Sequence, residues 1–304
     1  MREKILILDG GMSREIIRLG GVLRQPEWSA LALMETPDIV RQVHAEFVAA
    51  GADVITTNSY ALAPFHIGEE RFSRDGLRLA RLSGRLAREA ADACAQRKVL
   101  VAGCLPPIFG SYEPQRFDAA RAPAYLGVLV EGLIDTADIW LGETLSLIAE
   151  AQAVIEATAN TNKPVWISFT LDDSNEAIAS GAATLRSGES IAAAAEWALA
   201  AGVAALLFNC SQPEVMRAAV VEARAVADRA SKTMRIGVYA NAFEPRVDTV
   251  KANKVLRGIN SQLTPQLYSR FASEWVEAGA DIIGGCCGIG AGHISHMAMA
   301  LNRS

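Results

Sequence analysis

The chain has 304 residues, 51% hydrophobic and 21% charged, which is ordinary globular composition with room for a large core. A formal net charge of −5 gives no basic footprint for nucleic acid and argues against an anionic membrane surface. No apolar run approaches the roughly 18–20 residues of a spanning helix, and the start, "MREKILILDGGMSREI", has no cleavage-site signature. The expected compartment is the cytoplasm, where the five cysteines (Cys94, Cys104, Cys210, Cys286 and Cys287) should be reduced thiols.

In chain order the predicted strands are "KILILDG" (4–10), "ADVITTNS" (52–59), "KVLVAGCL" (98–105) and "ADIWLGET" (137–144), then "PVWISFT" (164–170), "AALLFNCS" (204–211), "RIGVYANA" (235–242) and "ADIIGGCC" (280–287). Between them run helical patterns such as "PDIVRQVHAEFVAA", "GLRLARLSGRLAREAADACAQR", "ESIAAAAEWALAA" and "PEVMRAAVVEARAVADRA". Apolar strands with helical crossovers imply a parallel sheet covered by helices. "FVAAGADVITTNS", "ALAAGVAALLFNCS" and "WVEAGADIIGGCC" repeat one joint: a helix ends at Ala-Gly, with Gly as C-cap, and a buried strand follows at once. Eight strands and this length favour an α/β fold, a (β/α)8 TIM-type barrel, over a doubly wound sheet. No linker or composition break marks a second domain, so residues 1–304 read as one barrel. The stretches 104–117 and 242–262 read as βα loops over its mouth.

In such barrels the chemistry sits at the C-terminal strand ends. Those positions carry Asp9-Gly10-Gly11, Thr57-Asn58-Ser59-Tyr60, Cys104, Glu143-Thr144, Asn209-Cys210-Ser211, Asn241 and Cys286-Cys287. Cys210, Cys286 and Cys287 converge if strands six and eight end at the same rim. Three thiolates with an open fourth position are what a catalytic Zn²⁺ site uses. Neighbouring side chains on a regular strand point to opposite faces, so Gly284, Gly285 and Gly288 are expected to let the backbone turn both sulfurs inward. Structural packing and a vicinal redox dithiol stay open as alternatives. Cys94, read as mid-helix, and Cys104 are expected to be packing residues. The four histidines, His44, His66, His293 and His296, fall in helical or loop patterns and read as structural or surface groups.

A zinc already bearing three thiolates suits a substrate thiol as fourth ligand better than water. It would hold that thiol as a nucleophilic thiolate near neutral pH, ready to attack a methyl group on a sulfonium or ammonium centre. No general base is then needed, in keeping with the lack of His at any strand end.

"LDGGMSREI", "ITTNSYA", "ETL…EA", "NCS" and "GGCCG", in this order along the chain, resemble the homocysteine S-methyltransferase family. The resemblance implies Zn²⁺ on Cys210, Cys286 and Cys287, homocysteine bound to it through sulfur, and methionine as product. It implies that Glu143 receives the substrate ammonium, that Asp9, Gly10 and Gly11 line the same pocket, and that Trp28 and Tyr60 face the methyl donor. Asn58 and Asn209 would brace the substrate loops, and Asn241 would do the same. The alternatives are a structural Arg partner for Glu143, a plain turn at Asp9, and core packing for Trp28 and Tyr60.

Two stretches, "YANAFEP" and "GCLPPIFGSYEP", depart from better characterised relatives and leave the donor less defined than the acceptor. The chain carries neither the C-terminal extension of betaine-using relatives nor a folate or cobalamin module. S-methylmethionine or S-adenosylmethionine is therefore the preferred donor. The competing expectations are another thiol or selenol, betaine or dimethylsulfoniopropionate as donor, or a non-catalytic zinc- or amino-acid-binding barrel. The partners expected are small molecules, with no nucleic acid and no membrane, and exposed barrel helices leave room for a homo-oligomer.

Overall fold

The computed structural model describes residues 4–244 and 258–301. Eight parallel strands form one sheet: β1 (Leu6–Ile7), β2 (Val54–Thr56), β3 (Leu100–Leu105), β4 (Ile139–Leu145), β5 (Val165–Phe169), β6 (Ala205–Asn209), β7 (Arg235–Tyr239) and β8 (Ile282–Ile283). The order runs β1-β8-β7-β6-β5-β4-β3-β2, and a parallel bridge from Leu8 to Val54 joins the two ends. The result is the expected (β/α)8 barrel, with every predicted strand in place.

Helices α1 (Met12–Arg18), α2 (Ala30–Glu35) and α3 (Pro37–Ala49) follow β1, and α4 (Pro64–Ile67) and α5 (Glu69–Asp92) follow β2. Single helices α6 (Ala122–Leu133) and α7 (Ile148–Thr158) follow β3 and β4, and α8 (Asn175–Ser180) and α9 (Ile191–Ala200) follow β5. The last three strands are followed by α10 (Pro213–Arg229), α11 (Pro265–Ala278) and α12 (Ala291–Leu301). No helix among the described residues is long and apolar enough to cross a membrane.

Strand alternation sorts the core into two layers. Leu8, Val54, Leu141, Leu207, Tyr239 and Ile282 belong to the smaller cluster, which fills the barrel. Their neighbours Ile7, Ile55, Trp140, Leu206, Phe208 and Ile283 join the larger cluster shared with the helices. A strand buried on both faces reads as continuously apolar, as these do. At the repeated joints, Gly51, Gly202 and Gly279 have φ of 107°, 72° and 115°, the left-handed conformation that ends a helix and admits a strand at once.

Cys94 departs from its expected place. It lies just beyond α5, half-buried, because the helix closes with a tightened turn in which its N–H bonds to Ala91 O at 3.2 Å. The loop after β3 covers the mouth as expected. The predicted loop 242–262 lies partly outside the described residues.

Candidate active site

The end of β8 is shaped by the end of β1. The Gly10-Gly11 turn lies against the Cys286-Cys287 turn, and Gly11 N–H donates to Ile289 O at 2.8 Å. A Cβ on Gly11 would stand 2.5 Å from Cys286 O, and one on Gly10 only 2.2 Å from Ile289 O. Backbone can approach backbone this closely only without side chains. Gly288 takes φ of 86° and turns the chain after the cysteine pair. Gly284 and Gly285 act differently from expectation. Neither adopts a positive φ, and both are needed because a Cβ would strike Leu8 or Ile289.

Two strands round the sheet from β8, β6 stops at Asn209, and Cys210 follows with φ of 52°. A non-glycine residue there stores roughly 1–3 kcal/mol of strain that its surroundings must hold. The sulfurs of Cys210, Cys286 and Cys287 all lie within 4.8 Å of one another. Cys210 is buried and the other two are half-buried. The three thiols share protons unequally. Hydrogen bonds from Cys286 and Cys287 hold Cys210 well below the usual thiol range, while Cys286 and Cys287 are pushed above it, first by their bonds to Cys210. Three thiolates together therefore require a bound positive charge.

Facing the sulfurs is a carboxylate side. β4 carries a bulge between Gly142 and Leu145, with Thr144 at φ of 63°. A β-branched residue in that conformation is a true outlier, and the bulge re-aims the neighbouring side chain, Glu143. Glu143 Oε2 accepts a hydrogen bond from Cys104 Sγ at 3.0 Å. Burial pushes the Glu143 carboxyl up to about 7, against the opposing bond from Cys104. Asp9 accepts from Thr56 N and Thr56 Oγ1 at 2.7 and 3.1 Å. Burial, aided by repulsion from Glu143, raises Asp9 to about 8. Among the described residues neither carboxylate belongs to an ion pair. The structural Arg partner considered for Glu143 does not appear there.

Asn209 joins the two sides. Its side chain donates to Thr144 Oγ1 at 2.8 Å and accepts from Thr144 N at 3.2 Å and Ser168 Oγ at 2.7 Å. The residue before Cys210 thus staples the residue after Glu143. Asn58 Nδ2 donates to Ser29 O at 3.1 Å and ties the Trp28 turn to the end of β2. Trp28 is half-buried against the core. The Tyr60 hydroxyl bonds to Ser111 Oγ at 2.7 Å on the β3 loop. Asn241 Oδ1 accepts from Phe243 N at 3.1 Å, while its Nδ2, buried beside Cys210, makes no well-formed hydrogen bond among the described residues. The histidines stay in the helical layer. His44 is fully buried, and burial depresses it to about 4. His66 bonds to Pro26 O and His293 to Leu263 O.

Sequence reasoning overlooked several residues here. Cys104 is buried, as packing requires, but it also bonds Glu143. Tyr112, with φ of 63°, brings its hydroxyl to 2.8 Å from Cys210 Sγ. Tyr239 is buried beside Glu143 and Ser168, in bonding geometry to neither. Its position at the end of β7 was the available signal. For Tyr112 the only signal was its place in an unusual loop.

Fold and site together define a (β/α)8-barrel enzyme whose strand ends carry a sulfur cluster opposite a carboxylate. The family model described as homocysteine S-methyltransferase matches residues 6–301, and the chain belongs to that family of methyltransferases. It is 31% identical to the homocysteine S-methyltransferase of Escherichia coli (strain K12), over 94% of this chain and 92% of that one. It is 29% identical to the selenocysteine methyltransferase of Astragalus bisulcatus, over 92% and 88%. Among solved structures it resembles the metallated form of the homocysteine methyltransferase MmuM from Escherichia coli, with a TM-score of 0.76 at 28% identity, covering 99% of this chain and 97% of that one.

Proposed function

We propose that this chain is a zinc-dependent S-methyltransferase that transfers a methyl group from a sulfonium-type donor to homocysteine, giving methionine. The observation that carries the reading is a sulfur trio within 4.8 Å facing a half-buried carboxylate that has no cation partner among the described residues. The donor set fits zinc: three soft sulfurs within 4.8 Å of one another, and a cluster that needs positive charge to ionise fully. Cys210, Cys286 and Cys287 would hold the ion. When bound, zinc supplies a lowered pKa for the substrate thiol.

The remaining work falls to the chain. Glu143 accepts the substrate ammonium and regains a counter-charge that burial denies it. Cys104 fixes its carboxylate by donating to Oε2. The Gly10-Gly11 turn and Asp9 wall the pocket beside the cysteine turn. Trp28 and Tyr60 offer aromatic faces to a positively charged donor. The acceptor sulfur forms a bond to the methyl carbon as the donor's own S–CH3 bond breaks, and that electron pair stays on the donor sulfur. S-methylmethionine and S-adenosylmethionine are the preferred donors, since both leave as neutral thioethers.

A selenol acceptor is the second reading, supported by the similarity to a plant selenocysteine methyltransferase. Reduced, zinc-loaded protein with homocysteine and each donor in turn, read for methionine by mass spectrometry, tests the first. No methionine with any donor, but methylselenocysteine from selenocysteine, would favour the second. Turnover undiminished in metal-free protein would overturn the zinc chemistry in both.

A further inference from the structure

We propose that Tyr112 is a positioning residue for the sulfur cluster, its hydroxyl donating a hydrogen bond to Cys210 Sγ from a ring held by Arg186 and Asp173. The proposal rests on the reading of the three cysteines as metal ligands. The hydroxyl lies 2.8 Å from Cys210 Sγ, although 98 residues separate the two. A metal-bound cysteine carries no proton, so in that state the hydroxyl must be the donor.

The contact is built rather than incidental. Tyr112 sits at φ of 63°, a conformation a bulky residue keeps only when its surroundings impose it. Arg186 lies over its ring, 5.1 Å from the centroid. That guanidinium is itself buried, with a side chain 8% exposed, and pairs at 2.9 Å with Asp173, which is 1% exposed. The other oxygen of Asp173 accepts from Gln212 N at 3.3 Å. Gln212 is two residues beyond Cys210. The contacts therefore close a circuit, from Cys210 through Tyr112, Arg186 and Asp173 back to the segment that presents Cys210. Such a circuit fixes the phenol relative to one sulfur of the three. The nearest comparable donor to another, Asn209 Nδ2 to Cys286 Sγ, stands at 3.9 Å.

The chemical consequence is an asymmetric cluster. Three thiolates around a dication leave a net negative charge, which weakens the ion's pull on a fourth sulfur. Donation from Tyr112 draws charge from Cys210, and the cation over the ring makes the phenol a better donor. A bound ion would then hold a substrate thiolate more strongly without a change of protein ligand.

Cobalt(II)-loaded protein tests this, because sulfur-to-cobalt charge-transfer bands report the electron density on the thiolates. In Tyr112→Phe, which keeps the ring, the band should move to lower energy at unchanged cobalt stoichiometry. With zinc, kcat/KM for the thiol acceptor should fall about tenfold or more, the scale of one charge-assisted hydrogen bond. Arg186→Met should shift the band the same way by less, and it carries the test if Tyr112→Phe does not fold. A folded, cobalt-loaded variant with an unmoved band would overturn the proposal. If the wild-type chain took up no cobalt, the metal reading itself would fall. Alkylation of Cys210 by iodoacetamide, located by peptide mass spectrometry, then decides the hydrogen bond alone. Faster labelling in Tyr112→Phe would sustain the bond, and equal rates would reject it.

Discussion

Asp53, Asp138 and Asp281 stand just before β2, β4 and β8 at the base of the barrel, and Asp9 and Glu143 stand at the ends of β1 and β4 at its mouth. Each base carboxylate accepts a backbone N–H from the neighbouring strand: Ile7 N to Asp53 at 3.1 Å, Val101 N to Asp138 at 2.8 Å, and Ile236 N to Asp281 at 3.0 Å. Each also has a cation: Lys4 at 3.0 Å, Arg88 at 2.6 Å and Arg224 at 2.5 Å. Among the described residues the mouth carboxylates have no cation partner, and desolvation raises their pKa values. At the base the clip is neutralised by a cation; at the mouth Asp9 also clips a neighbouring strand, through Thr56 N, but no cation balances it or Glu143 among the described residues. An incomplete charge persists only where a ligand completes it.

The comparison can be sharpened by substitution at each end. The largest expected effect lies in the sulfur cluster that faces the mouth carboxylates. Cys287→Ala should lower methyl transfer by about a thousandfold or more and abolish stoichiometric zinc, read by methionine formation and metal analysis. Next, Glu143→Gln should raise the KM for homocysteine by about 30- to 100-fold while zinc content stays at wild type. A KM within twofold of wild type would remove Glu143 from ammonium binding.

The pH dependence follows from the same residues. Their folded pKa values, about 7 for Glu143 and about 8 for Asp9, stand above the ordinary 4.5 and 3.8. The native state therefore holds protons that the unfolded state has released. Stability of the ligand-free protein is fully present below pH 3.8 to 4.5 as far as these groups go, and it is lost as pH rises to 7 and 8. The slope is at most about 1.4 kcal/mol per pH unit for each group. Denaturant midpoints at pH 5 and 8 should show the loss, and Glu143→Gln should flatten it. The smallest effect belongs to the base. Asp281→Asn should lower stability by about 1–2 kcal/mol, through a half-exposed ion pair and one backbone bond, and leave kcat within about twofold. A large fall in turnover there would break the division between the two ends.

Much of this was legible in the sequence because it depends on residue type and local order. Apolar runs gave eight strands, Ala-Gly joints gave the helix ends, and cysteines at two strand ends gave the cluster. The repeat "AGAD" also held the base clips Asp53 and Asp281, but only the cap role of its glycine was read from it. An aspartate's partner on another strand leaves no trace in its own segment. The same holds for Tyr112, Arg186 and Asp173, which meet across two loops. It holds for Thr144, whose left-handed backbone no residue type announces. Gly284 and Gly285 were recognised as necessary for the wrong reason, since close approach by Leu8 and Ile289, not turning, excludes a side chain there.

The docking of the Gly10-Gly11 turn on the Cys286-Cys287 turn also bears on biosynthesis. The first strand of the chain is completed by the last, and the third cysteine arrives from β6. During synthesis the pocket wall at Gly11 emerges early and waits for residues near 290. The sulfurs cannot be assembled against it until then, so any ion the cluster binds would be captured only once the last strand is in place.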